Sequence, residues 1–575
     1  MGGCNPWAPL ALTATSPSIS LREVRGGTAY ASVSINNIST NPVDVKTNDT
    51  LVLQDGAGHQ ITGTVRVIGT VNAPYNGIVP GPMFTSADLK EIAVELPLLP
   101  PSPSAPQFVK DIPGQIVNWN SIKDFYTIND APTLHLDTTA ANKRVVLWIT
   151  IQTGQTEWFT EQRTYRGNIQ ASVSSGGSSL APPPAIPISL VVEGRTTLFE
   201  DAVSNTLVWS DHATRMGSLN ILRESRGGND PGASQANYYQ DLLSHGSRMY
   251  FGWHPEAINY GFRRVVLDSD AFWQQVTSGN DPTTGKPWTH QDPNGSGRWI
   301  HPQEAADWAA GKEATYGGSH YLNADPTEFD RAVACWAEKK APQDAGAFQP
   351  YSESYSYSKF LVQIWDEPKD YFAPLYERVA ARIHVYNKAV RIMANPCADQ
   401  FNDATVTGTL QVVNPDVTEW WPHNSKLLSF LSYLQSTGKP IYEYDTWGPY
   451  PSSAEDSSWR CYRRGPWVVP YYKLSGWGFW SAYAPTYGSG VRLIYPGPLG
   501  PIPTRNWEAF RRGSEDICMI QILRWRNLSS TTSSQLDQRV ASAYDHPFGP
   551  GSNGEPDSFE QNRAWLVDML SPPNS

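Results

Sequence analysis

The hydrophobic pattern of the chain changes its period once, near residue 188, and this change limits the folds that the chain can form. Before it, short β-branched and aromatic runs alternate with Asn, Gly and Pro clusters, and no helical periodicity lasts longer than two turns. After it, buried strands alternate with amphipathic helices. A chain of 575 residues is too long for one hydrophobic core. We therefore predict two main domains of different fold class.

Four segments follow from this pattern. Residues 1–173 are predicted to form an antiparallel β-sandwich. Residues 174–188 have the Ser, Gly and Pro composition of a linker. Residues 189–530 are predicted to form a parallel (β/α)8 barrel, because repeated βα units favour a closed parallel sheet with helices outside. Residues 531–575 are a C-terminal extension.

The barrel strands are predicted from short apolar runs. They are Arg248–Phe251, Phe360–Trp365, Val390–Met393, Thr409–Val413, Pro440–Tyr444, Gly476–Trp480 and Val491–Tyr495. The clearest unit is Phe360–Trp365, which is followed by Asp366-Glu367-Pro368 and by a helix with one apolar stripe.

Charge and composition exclude several classes of partner. The chain has 44 Lys and Arg residues and 55 Asp and Glu residues, a net charge of −11, and no basic run longer than a pair. We therefore expect no nucleic-acid partner. No apolar stretch approaches the ~18 residues of a membrane-spanning helix. The 22 Trp residues favour ligands that stack on flat rings, sugars above all.

Motifs for metals and cofactors are absent from the sequence. The five Cys residues contain no Cys-x-x-Cys pair, and there is no phosphate loop, Gly-x-Gly-x-x-Gly, His-Glu-x-x-His or Gly-x-Ser-x-Gly. We predict neither a metal in the site nor a cofactor, and a structural Ca²⁺ stays open. Carboxylates and aromatic rings at strand ends remain, and these are the groups that hydrolyse glycosidic bonds. The predicted partner is an oligosaccharide or glycoconjugate.

The N-terminal sequence suggests an exported protein. Met1 to Pro6 has no signal-peptide apolar region, and we interpret the chain as secreted, periplasmic or a cell-surface lipoprotein whose leader has been removed. Cys4 is then a candidate lipid anchor. The alternative is that Cys4 is an ordinary Cys next to N-terminal residues added by cloning. The oligomeric state and a disulfide between Cys397 and Cys461 stay open.

Asp366 and Glu367 are the best candidates for catalysis. Neighbouring residues of a strand point to opposite faces, so both reach one pocket only where the strand ends, and Pro368 favours such a break. A carboxyl beside Trp365 has an apolar neighbour that raises its pKa toward that of a general acid. The alternative is an acidic pair that caps the following helix.

Four stretches together resemble glycoside hydrolase family 123. Ile364 to Pro368 resembles its catalytic strand, and Gly476–Trp480 its "GfLyW" strand. Val491 to Gly497 matches its "lvYPG" element, and Arg505 to Asp516 reads R-x-x-E-x-x-R-x-G-x-E-D, close to its late signature. The stretches occur in the family's order over residues 359–523.

The resemblance implies an exo-β-N-acetylgalactosaminidase with a retaining, substrate-assisted mechanism. Asp366 would orient the 2-acetamido group as its carbonyl oxygen attacks the anomeric carbon, which gives an oxazolinium intermediate. Glu367 would protonate the leaving oxygen and later activate water. The late motif, with Arg505, Glu508, Arg511, Glu515 and Asp516, is interpreted as an amphipathic helix whose charges pair and which closes the barrel.

The chain departs from the family at Tyr442-Glu443-Tyr444-Asp445, where the family usually reads Trp-Trp-Tyr. Glu443 is then a nucleophile about 5–5.5 Å from an acid/base Glu367, a ligand of a sugar hydroxyl, or a buried carboxylate paired with Arg. The first role would remove the need for an acetamido group. A non-catalytic carbohydrate-binding protein is a further alternative.

Further substrate-binding residues are aromatic, imidazole and amide side chains near predicted strand ends; for each Trp, core packing is the alternative. They are Tyr444, Trp447, Trp420, Trp421, Trp477, Trp480, His254, His423 and Asn395.

Overall fold

A computed structural model describes much of both predicted domains. The described residues are 18–47, 50–68, 71–72, 94–95, 98–99, 105–107, 129–131, 134–136, 138, 144–155, 159–198, 206–209, 231–278, 280–286, 288, 326–348, 353–364, 373–394, 417–420, 427–445, 462–480, 494–497, 500–503, 505–526, 528–545 and 558–571.

The N-terminal part consists of β-strands. They are β1 (Ile19–Arg25), β2 (Thr28–Asn36), β3 (Val43–Thr47), β4 (Thr50–Gln54), β5 (Gln60–Ile68), β6 (Val71–Asn72), β7 (Val94–Glu95), β8 (Leu98–Leu99), β9 (Ala105–Gln107), β10 (Asn129–Ala131), β11 (Leu134–Leu136), β12 (Arg144–Gln152), β13 (Gln162–Ile169), β14 (Ala171–Ser175), β15 (Ser178–Ser179) and β16 (Ile186–Thr197). A large sheet has the order β1-β16-β13-β4-β5-β12-β2, with β8 beside β5, and a smaller sheet has the order β11-β3-β14-β15.

The large sheet is buried on both faces. Ala29 and Ala31 of β2 and Leu147 of β12 share a hydrophobic core with the small sheet. Tyr30 and Trp148, which alternate with them, belong to the core of the barrel instead. Because side chains of a strand alternate between faces, the same two strands contribute to both cores.

Two predictions for the N-terminal part differ from the structure. β1 pairs with β16 in parallel, so the large sheet is not purely antiparallel. Residues 174–188, predicted as a linker, contain β15 and the start of β16, whose Ile188 and Leu190 are buried in the sheet. Ser, Gly and Pro there form the turns between paired strands, and the sheet continues to Thr197.

The second part contains a closed barrel of eight parallel strands. The strands are β17 (Thr206–Trp209), β18 (Ser247–Phe251), β19 (Arg264–Leu267), β20 (Phe360–Gln363), β21 (Ile392–Ala394), β22 (Val417–Trp420), β23 (Ile441–Asp445) and β24 (Gly476–Trp480). β17 pairs with both β18 and β24, which closes the barrel. The predicted parallel barrel is therefore present.

Some barrel strands were predicted incorrectly or missed. β17, β19 and β22 have four residues each and were not predicted. The predicted strand Val491–Tyr495 is β25 (Ile494–Gly497), which forms an antiparallel hairpin with β26 (Gly500–Pro503) outside the barrel. The predicted strand Thr409–Val413 lies outside the described residues.

The helices follow the barrel strands and continue past the barrel. They are α1 (Pro231–Ser244), α2 (Ser269–Thr277), α3 (Pro326–Cys335), α4 (Ala341–Gly346), α5 (Glu353–Ser358), α6 (Ala373–Tyr386), α7 (Leu427–Ser436), α8 (Val468–Tyr472), α9 (Arg505–Trp525), α10 (Ser530–Asp545) and α11 (Ser558–Leu570). A π-helical turn, Trp336–Lys340, joins α3 to α4. None of the described helices is long and apolar enough to cross a membrane.

Helix α9 contains the late Arg- and Glu-rich motif and is buried on every side from residue 506 to residue 520. The predicted pairing of its charges is confirmed for Glu508, Arg511, Glu515 and Asp516. The predicted amphipathic character is wrong, because the large sheet, the barrel and α11 all pack around the helix.

One cluster of charges joins α9 to β1 and α11. Glu23 Oε2 of β1 lies 2.8 Å from both Arg512 Nη1 and Arg563 Nη2. Arg563 also contacts Glu515 at 2.7 Å and Asp516 at 2.6 Å. Burial raises the pKa of Glu515 even though Arg563 opposes this shift. We call Glu23, Arg512, Glu515, Asp516 and Arg563 the junction cluster.

A second group of charges joins α9 to β2 and to the turn before β18. Glu508 Oε2 accepts a hydrogen bond from Tyr30 Oη at 2.9 Å and lies 3.4 Å from Arg511 Nε. Arg511 Nη2 lies 2.7 Å from His245 Nε2. Burial alone would raise the pKa of Glu508, but Arg511 and His245 outweigh it and lower that pKa to about 2.

Replacing Arg563 by Leu should strongly destabilise the protein. The change leaves the buried carboxylates of Glu23, Glu515 and Asp516 without their shared cation, which costs about 3–5 kcal/mol. Denaturant unfolding measures this loss. As a control, Arg524→Leu breaks an exposed pair with Asp537 and should cost at most about 1 kcal/mol. Equal losses in the two variants would contradict the structural role of the junction cluster.

Glu508 should make stability depend on pH in the acid range. Its pKa is about 2 in the folded chain and ordinarily about 4.3, so its contribution is complete above about pH 4.5 and is lost as the pH falls toward 2. Between pH 6 and pH 2.5, wild type should lose about 2 kcal/mol more unfolding free energy than Glu508→Gln. Glu338→Gln, at an exposed position, should follow wild type. Parallel curves for wild type and Glu508→Gln would show that this pKa is not depressed.

Candidate active site

The carboxyl ends of the eight barrel strands meet on one face, and in parallel barrels the residues just after these ends form the active site. The last residues of the strands are Trp209, Phe251, Leu267, Gln363, Ala394, Trp420, Asp445 and Trp480. The candidate active site is this face of the barrel.

Among the described residues, a cluster of apolar side chains from alternate strand positions fills the barrel interior. Its members are Met249, Phe251, Val266, Leu361, Met393 and Tyr442. Gln363 pairs in register with Met393, lies two residues after Leu361 and is 1% exposed. It therefore brings a polar group to the interior at the carboxyl end of β20.

Trp273 fixes the end of β20. Asp268 caps helix α2 by accepting a hydrogen bond from the Ala271 N–H at 2.8 Å. On this helix, Trp273 is buried and its Nε1–H donates to the Ile364 carbonyl at 2.7 Å. Ile364 is the last described residue before Asp366 and Glu367.

Tyr376 fixes the end of the neighbouring strand β21. Its buried hydroxyl donates to the Met393 carbonyl at 2.5 Å. Tyr376 lies in the first turn of α6, the helix that follows the predicted catalytic pair. Two hydrogen bonds to backbone carbonyls thus hold the end of β20, the strand that precedes the predicted catalytic pair in sequence, and the end of its neighbour β21.

His254 follows β18 on the same face of the barrel. Its Nδ1 lies 2.8 Å from Glu256 Oε1, and the Tyr239 hydroxyl donates to the same oxygen at 3.1 Å. Burial would raise the pKa of Glu256, but these hydrogen bonds and the charge of His254 lower that pKa to about 2. An ionised Glu256 orients the imidazole of His254, one of the predicted substrate-binding residues.

The structure does not place Glu443 and Trp477 in the site. The two residues pair in register, and Trp477 packs on Phe510 of α9, outside the barrel. A Cβ added at Gly465 would lie 2.2 Å from the Trp477 ring, so only glycine fits beneath it. Strand alternation thus places Glu443, which is 6% exposed, on the outer face while Tyr442 faces the interior. Trp477 therefore packs in the core, and Glu443 is buried outside the barrel interior, while its pairing with an Arg stays a prediction.

The other predicted site residues have no described side chain. Trp420, Tyr444 and Trp480 lie at the carboxyl ends of β22, β23 and β24, where only their backbone is described. The remaining ones lie outside the described residues: Asp366, Glu367, Asn395, Trp421, His423 and Trp447. Within the described residues, no group of three His, Cys, Asp or Glu side chains is placed to share a metal ion.

Sequence reasoning missed residues of this face. Gln363 stands within an apolar strand, and its polarity just before Asp366-Glu367 was the available signal. Glu419 was passed over beside Trp420; it pairs in register with Tyr442 near the end of β22. Trp273 and Tyr376 had no signal, because their partners are backbone carbonyls.

Comparison with known proteins gives a fold. No model of a protein family matches the sequence, and no curated protein matches it. A family 123 glycoside hydrolase from Clostridium perfringens, described for glycolipid glycan hydrolysis, has a similar structure: the TM-score is 0.56 at 12% identity, over 96% of this chain and 92% of that chain. At this identity the likeness establishes the fold alone, across both the N-terminal sheets and the barrel.

Two further solved structures are also glycoside hydrolases. A family 5 mannosidase from Rhizomucor miehei in complex with mannosyl-fructose has 11% identity and a TM-score of 0.31, over 56% of this chain and 95% of that chain. A Bacteroidetes-affiliated family 5 cellulase has 11% identity and a TM-score of 0.33, over 61% and 97%. At these TM-scores the two likenesses support no argument.

Replacing Trp273 by Phe should destabilise the protein by about 1–3 kcal/mol, because the buried Ile364 carbonyl loses its donor. Trp336→Phe is the matched control: Trp336 is equally buried and also contacts Phe272, but it donates to the side chain of Gln275, which is only partly buried and can turn to water. Thermal or denaturant unfolding should give a smaller loss for the control. A larger loss in the control would contradict the role of Trp273.

Proposed function

We propose that this protein is a retaining glycoside hydrolase that removes terminal β-linked N-acetylgalactosamine by substrate-assisted catalysis. One observation carries the proposal: in sequence, Asp366 and Glu367 are the third and fourth residues after the carboxyl end of β20, a strand of a closed parallel barrel. This is where such barrels place catalytic residues. Covalent geometry keeps residues so close in sequence near the strand end.

The frame around β20 supports the proposal. The strand end is fixed by Trp273 and its neighbour by Tyr376, through buried hydrogen bonds. Catalysis by two carboxyl groups requires positions held within fractions of an ångström, so rigid supports on both sides are an expected feature. The fold likeness to a family 123 enzyme agrees with the motifs from Ile364 to Asp516.

In the proposed mechanism the chain supplies no nucleophile. The acetamido oxygen of the substrate attacks the anomeric carbon, and the bond to the leaving oxygen breaks as Glu367 donates its proton. Asp366, ionised, stabilises the cationic oxazolinium ion. Glu367 then takes a proton from a water molecule, whose oxygen attacks the anomeric carbon. This attack opens the oxazolinium ring and gives the sugar product with net retention.

The placement of Glu443 supports this mechanism over the two-carboxylate alternative. A nucleophile must face the substrate from the opposite side of the sugar to the acid. Strand alternation places Glu443 on the outer face, with Trp477 and away from Tyr442. The position thus favours the reaction that needs an acetamido group.

The test is hydrolysis of two aryl β-galactosides, one with a 2-acetamido group and one with a 2-hydroxyl group. We expect wild type to cleave only the acetamido substrate. Glu367→Ala should lower kcat/KM about 10²–10⁴-fold, and Glu443→Gln should keep the turnover of wild type.

Three outcomes would count against the proposal. Cleavage of the hydroxyl substrate would remove the acetamido requirement. A loss of turnover in a folded Glu443→Gln comparable to that in Glu367→Ala would restore the two-carboxylate mechanism. Binding of both sugars without turnover would favour a carbohydrate-binding protein.

A further inference from the structure

A cavity of about 280 Å³ lies between the N-terminal sheet and the barrel. Its wall is formed by the turn after β1, by the segment that leads into β18 and by helix α9. Arg248, the second residue of β18, places the cavity at the amino-terminal end of that strand. The candidate active site is at the opposite end, so the cavity is a separate feature of the molecule.

Two buried guanidinium groups line this cavity. Arg248 is 6% exposed, and its Nη1 donates to the carbonyls of Leu243 at 2.8 Å and Ser247 at 3.0 Å, which hold its charge at the wall. Arg511 is 5% exposed; its Nε lies 3.4 Å from Glu508 Oε2 and its Nη2 2.7 Å from His245 Nε2, which leaves Nη1 for a further acceptor. Buried guanidinium groups require anions or acceptors nearby.

The carboxylate in the wall, Glu515, is already engaged by the protein. Its Oε1 accepts a hydrogen bond from Thr28 Oγ1 at 2.6 Å, and its Oε2 lies 2.7 Å from Arg563 Nη2. The lining therefore contains two cationic side chains, Arg248 and Arg511, and one carboxylate that is bound elsewhere.

Two hydrogen-bond donors in the same wall have no acceptor among the described residues. Ser514 is 1% exposed, and among the described residues its Oγ has no hydrogen-bond partner. Arg511 Nη1 also has none within that part of the chain. Leaving a buried polar group unsatisfied costs about 1–3 kcal/mol, and such groups in native proteins usually have an acceptor. Both donors belong to residues that line the same cavity.

We propose that this cavity binds a small oxyanion, a tetrahedral phosphate or sulfate or a small carboxylate. Its oxygens would accept hydrogen bonds from Ser514 Oγ and the Arg511 guanidinium, with Arg248 supplying further positive charge. The volume admits such an ion together with a few waters, each of which takes about 30 Å³. Because the wall belongs to both parts of the chain, the bound ion stabilises their junction.

The test is calorimetric titration of the full chain with inorganic phosphate, sulfate and acetate at constant ionic strength in chloride. We expect one saturable site, and a rise of the thermal unfolding midpoint that follows its occupancy. Saturation by phosphate and sulfate identifies a tetrahedral anion, and saturation by acetate alone identifies a carboxylate.

The variants separate a built site from a general salt effect. Ser514→Ala removes a hydroxyl without a partner in the described part of the chain, so the protein should still fold, and binding should weaken at least tenfold. Arg248→Gln should weaken it further. The matched control is Ser356→Ala, which removes an equally buried hydroxyl without a described partner, outside the cavity; it should bind as wild type does.

Two results would overturn the proposal. One is the absence of a saturable site for all three anions in wild type. The other is a rise in the unfolding midpoint that is linear in salt and equal in wild type, Ser514→Ala and Arg248→Gln, since excluded anions stabilise any folded protein in this way. Neither result depends on hydrolysis, so the proposed enzymatic function is tested separately.

Discussion

The junction cluster is the interaction on which the arrangement of the two parts depends. Glu23 lies in the N-terminal sheet, Arg512 and Glu515 on α9, and Arg563 on α11, and all are nearly inaccessible to water. Each charge is tolerated only because its partners are present, since an unpaired buried ion costs several kcal/mol. The charges of the cluster can therefore pair in only one relative position of β1, α9 and α11. Apolar packing alone would specify that position less strictly.

The alternation of side chains along the barrel strands decides which residues can face a substrate. On β23, the side chain of Tyr442 faces the barrel interior, and that of its neighbour Glu443 faces the outside of the barrel. On β20 the same rule brings Gln363 to the interior. Behind the strands, Trp273 and Tyr376 act on backbone carbonyls, so the geometry of the face depends on side chains that need not touch a substrate.

The sequence predicted the barrel and most of its long strands because buried β-branched runs are a strong local signal. It missed β17, β19 and β22, whose four residues alone give a weak signal, whereas the equally short β20 precedes a clear amphipathic helix. It also failed at residues 174–188, where turn-forming residues resembled a linker. It also could not tell which face of β23 was inside, because Ile441, Tyr442 and Glu443 are all buried. The bond from Trp273 to Ile364 joins residues 91 positions apart, and no local pattern encodes it.

The two-sided burial of the large sheet bears on how this architecture can change during evolution. Tyr30 and Trp148 pack against the barrel, and the Tyr30 hydroxyl donates a hydrogen bond to Glu508. A binding module on a flexible tether can be exchanged between enzymes or duplicated without loss. This N-terminal sheet cannot be exchanged in that way. Its loss would expose to water the aromatic rings and carboxylates that are now buried between the sheet and the barrel. We expect the sheet and the barrel to be inherited as one unit, with substitutions on either side of their contact accumulating in matched pairs.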